Sequence, residues 1–180
     1  EPFQPQNQGF DEWVGFYPGA ALFLPPDHPD AVNLRQDFDP IDPFLWANLN
    51  YAVRWNGSQR FAPDGYMTDY FADQAVSAIQ ANRNRPFFLY LALNAPHTPL
   101  QAPEAWLRRQ PKAWDPLLRV YSAMVGCADA AVGSTIGALR RHHMLASSLV
   151  LFLSDNGGPV MPSVCNGGLR GGKGTAFDGG

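Results

Sequence analysis

Two neighbouring residues with oxygen donors, Asp155 and Asn156, are followed directly by Gly157 and Gly158. A carboxylate and an amide oxygen placed side by side are the ligands that hard cations such as Ca²⁺ and Mg²⁺ prefer. The two glycines let the backbone turn sharply and approach a ligand closely. The same four residues also favour an ordinary turn. On local sequence alone, the turn is favoured over the metal site.

His97 and Lys173 are the other side chains whose surroundings suit chemistry. His97 lies between two prolines in Ala95–Leu100, and an imidazole can donate a hydrogen bond to an oxyanion or transfer a proton near neutral pH. Lys173 lies in the glycine-rich stretch Leu169–Thr175, where exposed N–H groups beside a positive charge suit an anion. Gly174 follows the lysine, so the stretch is not a P-loop. A structural histidine and a solvated lysine are the alternatives.

Two helices are predicted from the spacing of apolar residues. The first covers residues 68–83, and Thr68 or Asp69 can cap its N-terminus. The second runs from about Asp115 to Arg141. Both helices are amphipathic and are therefore expected to pack against a core.

Two strands are predicted from the apolar runs Phe87–Leu93 and Ser148–Leu153, which suit strands buried on both faces. A loop over Asn94–Pro103 follows the first strand. Helices and strands alternate, so the chain is predicted to be α/β with parallel strands. Ligands bind at the carboxyl ends of such strands, and those ends lie just before His97 and Asp155. A cation, a histidine and a lysine that converge there would bind a tetrahedral anion ester.

Residues 1–65 are rich in proline and aromatic side chains. We predict that they form loops and short strands laid over a core. Tyr51–Trp55 and Gln59–Phe61 are predicted to form a small hairpin, since Asn56 and Gly57 suit the positive φ angles of a tight turn. The same turn starts an Asn-Gly-Ser glycosylation pattern, but the turn is the favoured interpretation.

Composition limits the classes of protein that the chain can represent. It has 180 residues, 46% of them hydrophobic, and a formal net charge of -3. It can therefore form one domain or a large part of one, and it gives no electrostatic case for nucleic acid or for a membrane surface. No apolar run reaches membrane-spanning length. Cys127 and Cys165 can pair or stay reduced, and nothing in the sequence sets an oligomeric state.

Four stretches resemble the type I sulfatase family. The stretch from Phe87 to Pro99 resembles its central strand and histidine loop, and Ser148–Gly158 resembles its second metal-ligand motif. Leu169–Gly180 resembles the lysine loop that follows, and Gln8–Trp13 is similar to the stretch after its lysine–histidine motif. The stretches occur in the family's order across nearly the whole chain.

The resemblance implies an alkaline-phosphatase-like α/β fold, a three-layer sandwich of which residues 1–180 would be the central part, truncated at both ends. It implies that Asp155 and Asn156 ligate a divalent cation, usually calcium, with magnesium as the alternative. His97 would contact the sulfate or assist the leaving oxygen, and Lys173 would bind a sulfate oxygen. The family's nucleophile, a formylglycine made in a C/S-x-P-x-R motif, has no counterpart here, since the stretch around Cys165 lacks the order and the arginine.

The function implied by the resemblance is hydrolysis of a sulfate ester in the parent protein, on a sulfated small molecule or a sulfated glycan. The family suggests a secreted, periplasmic or lysosomal location. A phosphonate or phosphate monoester hydrolase of the same superfamily is one alternative, and a non-catalytic anion- or sugar-binding homologue is another. The residue at the nucleophile position would decide among the three. The isolated chain is expected to be inactive, because a cation held by one carboxylate and one amide has too few protein ligands.

Overall fold

The computed structural model describes residues 3–37, 39–159 and 166–180. In chain order its elements are Pro5–Gln8 (3-10), β1 Val14–Gly15, β2 Ala31–Leu34, α1 Asp42–Asn48, β3 Arg54–Trp55, α2 Met67–Ala81, β4 Leu100–Pro103, α3 Glu104–Leu107, α4 Pro116–Arg141 and Leu145–Ser147 (3-10). The strands form two sheets of two antiparallel strands each, β1 with β3 and β2 with β4.

Both predicted helices are present within two residues of their expected ends, and α2 packs along α4. Asp115 caps α4, because its carboxylate accepts a hydrogen bond from the Leu117 N–H at 2.9 Å. The predicted caps of α2 are wrong. Thr68 and Asp69 lie inside the helix, and the cap position is Tyr66, which makes no side-chain cap hydrogen bond. Tyr66 is buried, so its place in the core, rather than a polar cap, sets the start of α2.

The two predicted buried strands are the largest departure from the sequence-based expectation. Among the described residues, neither Phe87–Leu93 nor Ser148–Leu153 pairs with another strand. Leu89, Leu91 and Leu93 pack on the core clusters, but Phe88 is 78% exposed. Every apolar side chain of the second run is exposed, with Leu153 at 83%. A buried strand needs hydrogen-bonding neighbours at its edges and cover on both faces, and the described residues do not supply them.

The total solvent-accessible surface area also indicates that apolar segments are left uncovered. The solvent-accessible surface is 11218 Å², whereas a compact monomer of 19.8 kDa exposes about 8,600 Å². The excess is consistent with two long apolar segments that have no partner in the described part of the chain.

The predicted hairpin is confirmed. Val53 and Phe61 exchange two backbone hydrogen bonds of 2.9 Å. Asn56 (φ 47°) and Gly57 (φ 75°) form the left-handed turn. The side-chain oxygen of Asn56 accepts a hydrogen bond from the Trp13 backbone N–H at 2.8 Å, which ties the turn to the residue just before the first strand. Glycosylation at this asparagine stays a prediction.

The predicted loop Asn94–Pro103 is wrong at its end, because Leu100–Pro103 is β4. β4 lies in the core, with Leu100 and Ala102 fully buried. α4 is, in the described residues, the one helix long and apolar enough to cross a membrane. Its apolar face packs on the same core, as expected of a core helix. The residues that form this core include Phe23, Val53, Met67, Phe71, Leu100, Ala102, Val120, Ala123 and Met124.

Cys127, on α4, is buried and free. Burial raises the pKa of its thiol to about 12, and the Asp69 carboxylate adds to the rise. The thiol therefore stays protonated at neutral pH. Cys165, the other half of the pairing that the sequence left open, lies outside the described residues.

A single buried amide, Gln101 on β4, joins the N-terminal segment to this core. Its carbonyl oxygen accepts hydrogen bonds from the N–H groups of Phe23 at 2.8 Å and Leu24 at 3.3 Å. Its NH₂ donates to the Leu24 carbonyl at 3.1 Å and to the Asn33 side-chain oxygen at 2.8 Å. Gln101 is fully buried, and such a group is expected to satisfy its donors and acceptors inside the protein.

We predict that Gln101→Ala lowers the free energy of unfolding by about 3 kcal/mol, because buried backbone groups lose their partners. Denaturant unfolding of the purified protein measures the change. Gln80→Ala, at an exposed position of α2, is the matched control and should change stability little. Equal effects of the two substitutions would contradict this role of Gln101.

Candidate functional site

Asp155 and Asn156 lie on the loop that follows the second apolar run. Asp155 is exposed. The Asn156 NH₂ donates a hydrogen bond to the Gly157 carbonyl at 2.8 Å, which leaves the amide oxygen as the free donor atom for a cation. The loop is also closed by the Ser154 hydroxyl, which donates to the Asn156 carbonyl at 2.6 Å. The donor types at this loop therefore fit a hard cation.

Backbone hydrogen bonds attach the Lys173 loop to this first loop. The Lys173 N–H donates to the Gly158 carbonyl at 2.9 Å, and the Gly157 N–H donates to the Gly180 carbonyl at 3.2 Å. The Lys173 side chain itself is exposed. The structure thus brings two of the three predicted parts of the site, the metal pair and the lysine, onto one pair of neighbouring loops.

Asn166 is a positioning residue that the sequence did not reveal. Its side-chain oxygen accepts a hydrogen bond from the Gly158 N–H at 2.6 Å, and its NH₂ donates to the Gly171 carbonyl at 2.8 Å. One side chain therefore holds the two loops together. The only local signal is an asparagine before two glycines, which predicts a turn and no more.

The close approach of these loops requires glycine. A Cβ on Gly157 would lie 1.6 Å from the Gly179 carbonyl oxygen, and a Cβ on Gly180 would lie 2.0 Å from the Thr175 carbonyl oxygen. Neither contact can be accommodated without moving backbone. The sequence analysis expected the glycines to allow a close approach to a ligand. At Gly157 the close approach seen in the structure is to the backbone of Gly179 in the neighbouring loop.

His97 stands apart from the other two parts. Its Nδ1 lies 2.7 Å from the Thr98 carbonyl oxygen. A carbonyl only accepts, so Nδ1 is the donor in this contact, and in the neutral ring Nε2 is the nitrogen with the lone pair. The His97 N–H donates to the Asn94 carbonyl at 2.8 Å, and the ring is exposed. The hydrogen bonds of the described residues do not connect His97 with Asp155, Asn156 or Lys173.

Asn94 is a second polar residue that sequence reasoning missed. Both polar atoms of its side-chain amide are buried and lack a hydrogen-bond partner in the described part of the chain. A buried amide of this kind is costly unless something satisfies it. Asn94 lies at the end of the first apolar run, three residues before His97. A buried amide close to the histidine therefore lacks hydrogen-bond partners among the described residues.

The described residues do not complete a metal site. They contain no group of three or more His, Cys, Asp or Glu side chains that could hold a metal ion. A calcium ion takes six to eight oxygen ligands, and Asp155 with Asn156 supplies a small part of that set. The residues present fit the cation in kind but not in number.

The family of the chain is shown by comparison with known proteins. A family model described as Sulfatase matches residues 2–180. The chain belongs to the sulfatase family, whose members are sulfuric ester hydrolases. The family resemblance of the sequence is therefore confirmed.

Relatives and solved structures agree with this assignment. Arylsulfatase J of Mus musculus is 37% identical over 178 residues, which are 98% of this chain and 28% of that protein. N-acetylgalactosamine-6-sulfatase of Sus scrofa is 28% identical over 193 residues, 99% of this chain and 33% of that protein. The crystal structure of Ps i-CgsB in complex with k-i-k-neocarrahexaose aligns with a TM-score of 0.80 and 32% identity, covering 99% of this chain and 39% of that one.

Two consequences follow from these alignments. The predicted alkaline-phosphatase-like α/β fold class is confirmed, as a part of the larger fold. The chain spans 28% and 33% of the length of the two curated relatives, so its small antiparallel sheets are not the whole of that architecture.

We predict that Gly157→Ala separates the two loops, because the added Cβ would overlap the carbonyl of residue 179. Hydrogen exchange of the Gly157 and Lys173 amides should then be faster, since both lose their carbonyl partners. Gly168→Ala is the matched control, because a Cβ there has nothing within 4 Å. Unchanged exchange in the Gly157 variant would contradict the observed loop contact.

Proposed function

We propose that the protein encoded by the complete gene hydrolyses the sulfate ester of a glycan. The observation that carries the proposal is the attachment of the Lys173 loop to the Asp155–Asn156 loop, in a chain of the sulfatase family. The relatives named above are sulfatases of an aryl and of an amino-sugar type, and a structural neighbour binds an oligosaccharide. These names favour sulfate over phosphate or phosphonate esters, and a glycan over a small aryl compound.

Each predicted site residue has a role in this proposal. Asp155 and the amide oxygen of Asn156 bind a divalent cation, with calcium as the first candidate and magnesium as the second. A cation held there would polarise a sulfate oxygen and offset negative charge. The ammonium group of Lys173 donates a hydrogen bond to another sulfate oxygen, and the backbone contact with Gly158 keeps it beside the cation loop.

His97 acts at the leaving oxygen or at the sulfate group. Its Nδ1 proton is held by the Thr98 carbonyl, so Nε2 is the atom that exchanges a proton with the substrate. An exposed imidazole in this tautomer can accept a proton at Nε2 and return it as an acid.

The chain itself would be the central portion of the catalytic domain. The Asp155–Asn156 pair leaves most of the coordination sphere of a cation to other residues. The nucleophile, a formylglycine in this proposal, also has to come from outside residues 1–180, because they contain no C/S-x-P-x-R motif.

Steady-state kinetics of the complete protein tests the roles. Lys173→Ala should lower kcat by about 10²–10³-fold, the usual cost of losing one donor to developing charge. His97→Ala should lower it by about 10²–10⁴-fold, the usual contribution of a general acid or base. Lys112→Ala, at an exposed lysine, is the control and should keep full activity. Sulfate release that survives both site substitutions would contradict the assignment.

The isolated chain should show no measurable turnover of an aryl sulfate, with or without added calcium. It offers too few cation ligands and no activated nucleophile. A sulfate-release assay on the purified 180-residue chain, with the complete protein as the positive control, measures this. Robust turnover by the chain alone would overturn the prediction.

A further inference from the structure

A cavity of about 240 Å³ lies beside the hairpin, and its lining includes no residue of the three loops described above. The pairing of β1 with β3 and the hydrogen bond from Trp13 to the hairpin turn fix its wall. Its lining is formed by the segment after β1 and by the strands of the hairpin: Phe16, Tyr17, Pro18, Ala20, Ala21, Asn50, Ala52, Arg54 and Arg60.

The charges in this cavity have one sign. Arg54 and Arg60 line it, and none of the lining residues is acidic. Arg54 donates from one terminal nitrogen to the Ser58 carbonyl at 2.6 Å, but its Nε is buried without a partner in the described part of the chain. Arg60 is exposed, and the described residues give it no hydrogen bond or ion pair. Two guanidinium groups with spare donors suit an anion such as a sulfate group.

The cavity also offers an aromatic face. The Tyr17 ring is 48% exposed and lies 5.4 Å from the Trp13 ring. Arg54 sits over the Tyr17 ring at 5.2 Å, and the Gln4 NH₂ donates to the Tyr17 hydroxyl at 2.8 Å. These contacts hold the ring in place. Arg54 lies over one face of this ring, so the exposed remainder of the ring is the part that can pack against a sugar. The Asn50 amide belongs to the same lining and can bind a hydroxyl group.

We infer that this cavity is a second binding site for a sulfated sugar unit of a glycan, separate from the site that carries the reaction. The exposed part of the Tyr17 ring packs on the sugar, and the two arginines bind its sulfate. The inference rests on the proposed function for the choice of ligand, since other anionic sugars share part of the chemistry. A glycan held at this place as well as at the reacting ester binds more tightly than a small aryl sulfate.

Calorimetric binding of k-i-k-neocarrahexaose to the complete protein tests the inference. Arg60→Gln should raise Kd by about two- to fivefold, the range for one exposed charge contact. The difference should vanish at high salt, because screening removes the contribution of an exposed charge. Arg140→Gln removes an exposed arginine at the end of α4 and should leave Kd unchanged.

The desulfated hexasaccharide is the second arm, and it should bind wild type and Arg60→Gln equally. Equal affinity of both variants for the sulfated hexasaccharide, or no binding of it to wild type, would overturn the inference. Hydrolysis of a small aryl sulfate is measured in parallel and should be the same in wild type and Arg60→Gln. No release of sulfate from the hexasaccharide by wild type, with an intact Arg60 effect on binding, would refute the proposed function alone. Sulfate release from the hexasaccharide with no Arg60 effect on binding would refute the cavity alone.

Discussion

The buried side chain of Gln101 is the interaction on which the fold of the described residues depends. It satisfies backbone groups of Phe23 and Leu24, while the backbone carbonyl of Gln101 accepts a hydrogen bond from the Tyr66 hydroxyl at 2.9 Å. The Phe23 carbonyl in turn accepts from the Met67 N–H at 2.9 Å. One polar network inside an apolar core thus joins the N-terminal segment, β4 and the start of α2. Such a network is stabilising only when every member is satisfied.

This network also bears on the candidate site. β4 starts three residues after His97, so the anchoring of Gln101 fixes the C-terminal end of the histidine loop. The other end of that loop is the apolar run at 87–93, which packs on the core through alternate leucines only. The position of His97 is therefore well determined from one side and depends on further contacts on the other.

Elements defined by local interactions could be predicted from the sequence. The spacing of apolar residues was enough for α4, and the Asn56–Gly57 turn was enough for the hairpin. The run at 87–93 has a strand-like composition, but strand formation requires partners that are distant in sequence. The pairing of β2 with β4 joins residues that are about 70 positions apart in the sequence. No local sequence pattern in either segment predicts this pairing.

The candidate site shows the same division. The types of its residues, a carboxylate, an amide, a histidine and a lysine, could be named in advance because their chemistry is a property of each side chain. The contact between the Asp155 and Lys173 loops could not be derived from spacing, because it depends on Asn166 and on the absence of a side chain at Gly157. The predicted strand ends suggested that these side chains converge, and the resemblance to a family gave each of them a role.

The unpaired apolar runs and the incomplete site have one physical explanation. The run at 87–93 leads into His97, and the run at 148–153 leads into Asp155. Exposed apolar strands are unfavourable in water, and the cation ligands on the second loop are too few for a bound ion. Strands that pair with these two runs would satisfy their backbone edges, and helices packed on the resulting sheet would cover the apolar faces. Parallel strands of that sheet would end beside the same two loops, since their carboxyl ends meet at one edge. The further ligands that a cation needs would therefore lie on the same strands that complete the sheet.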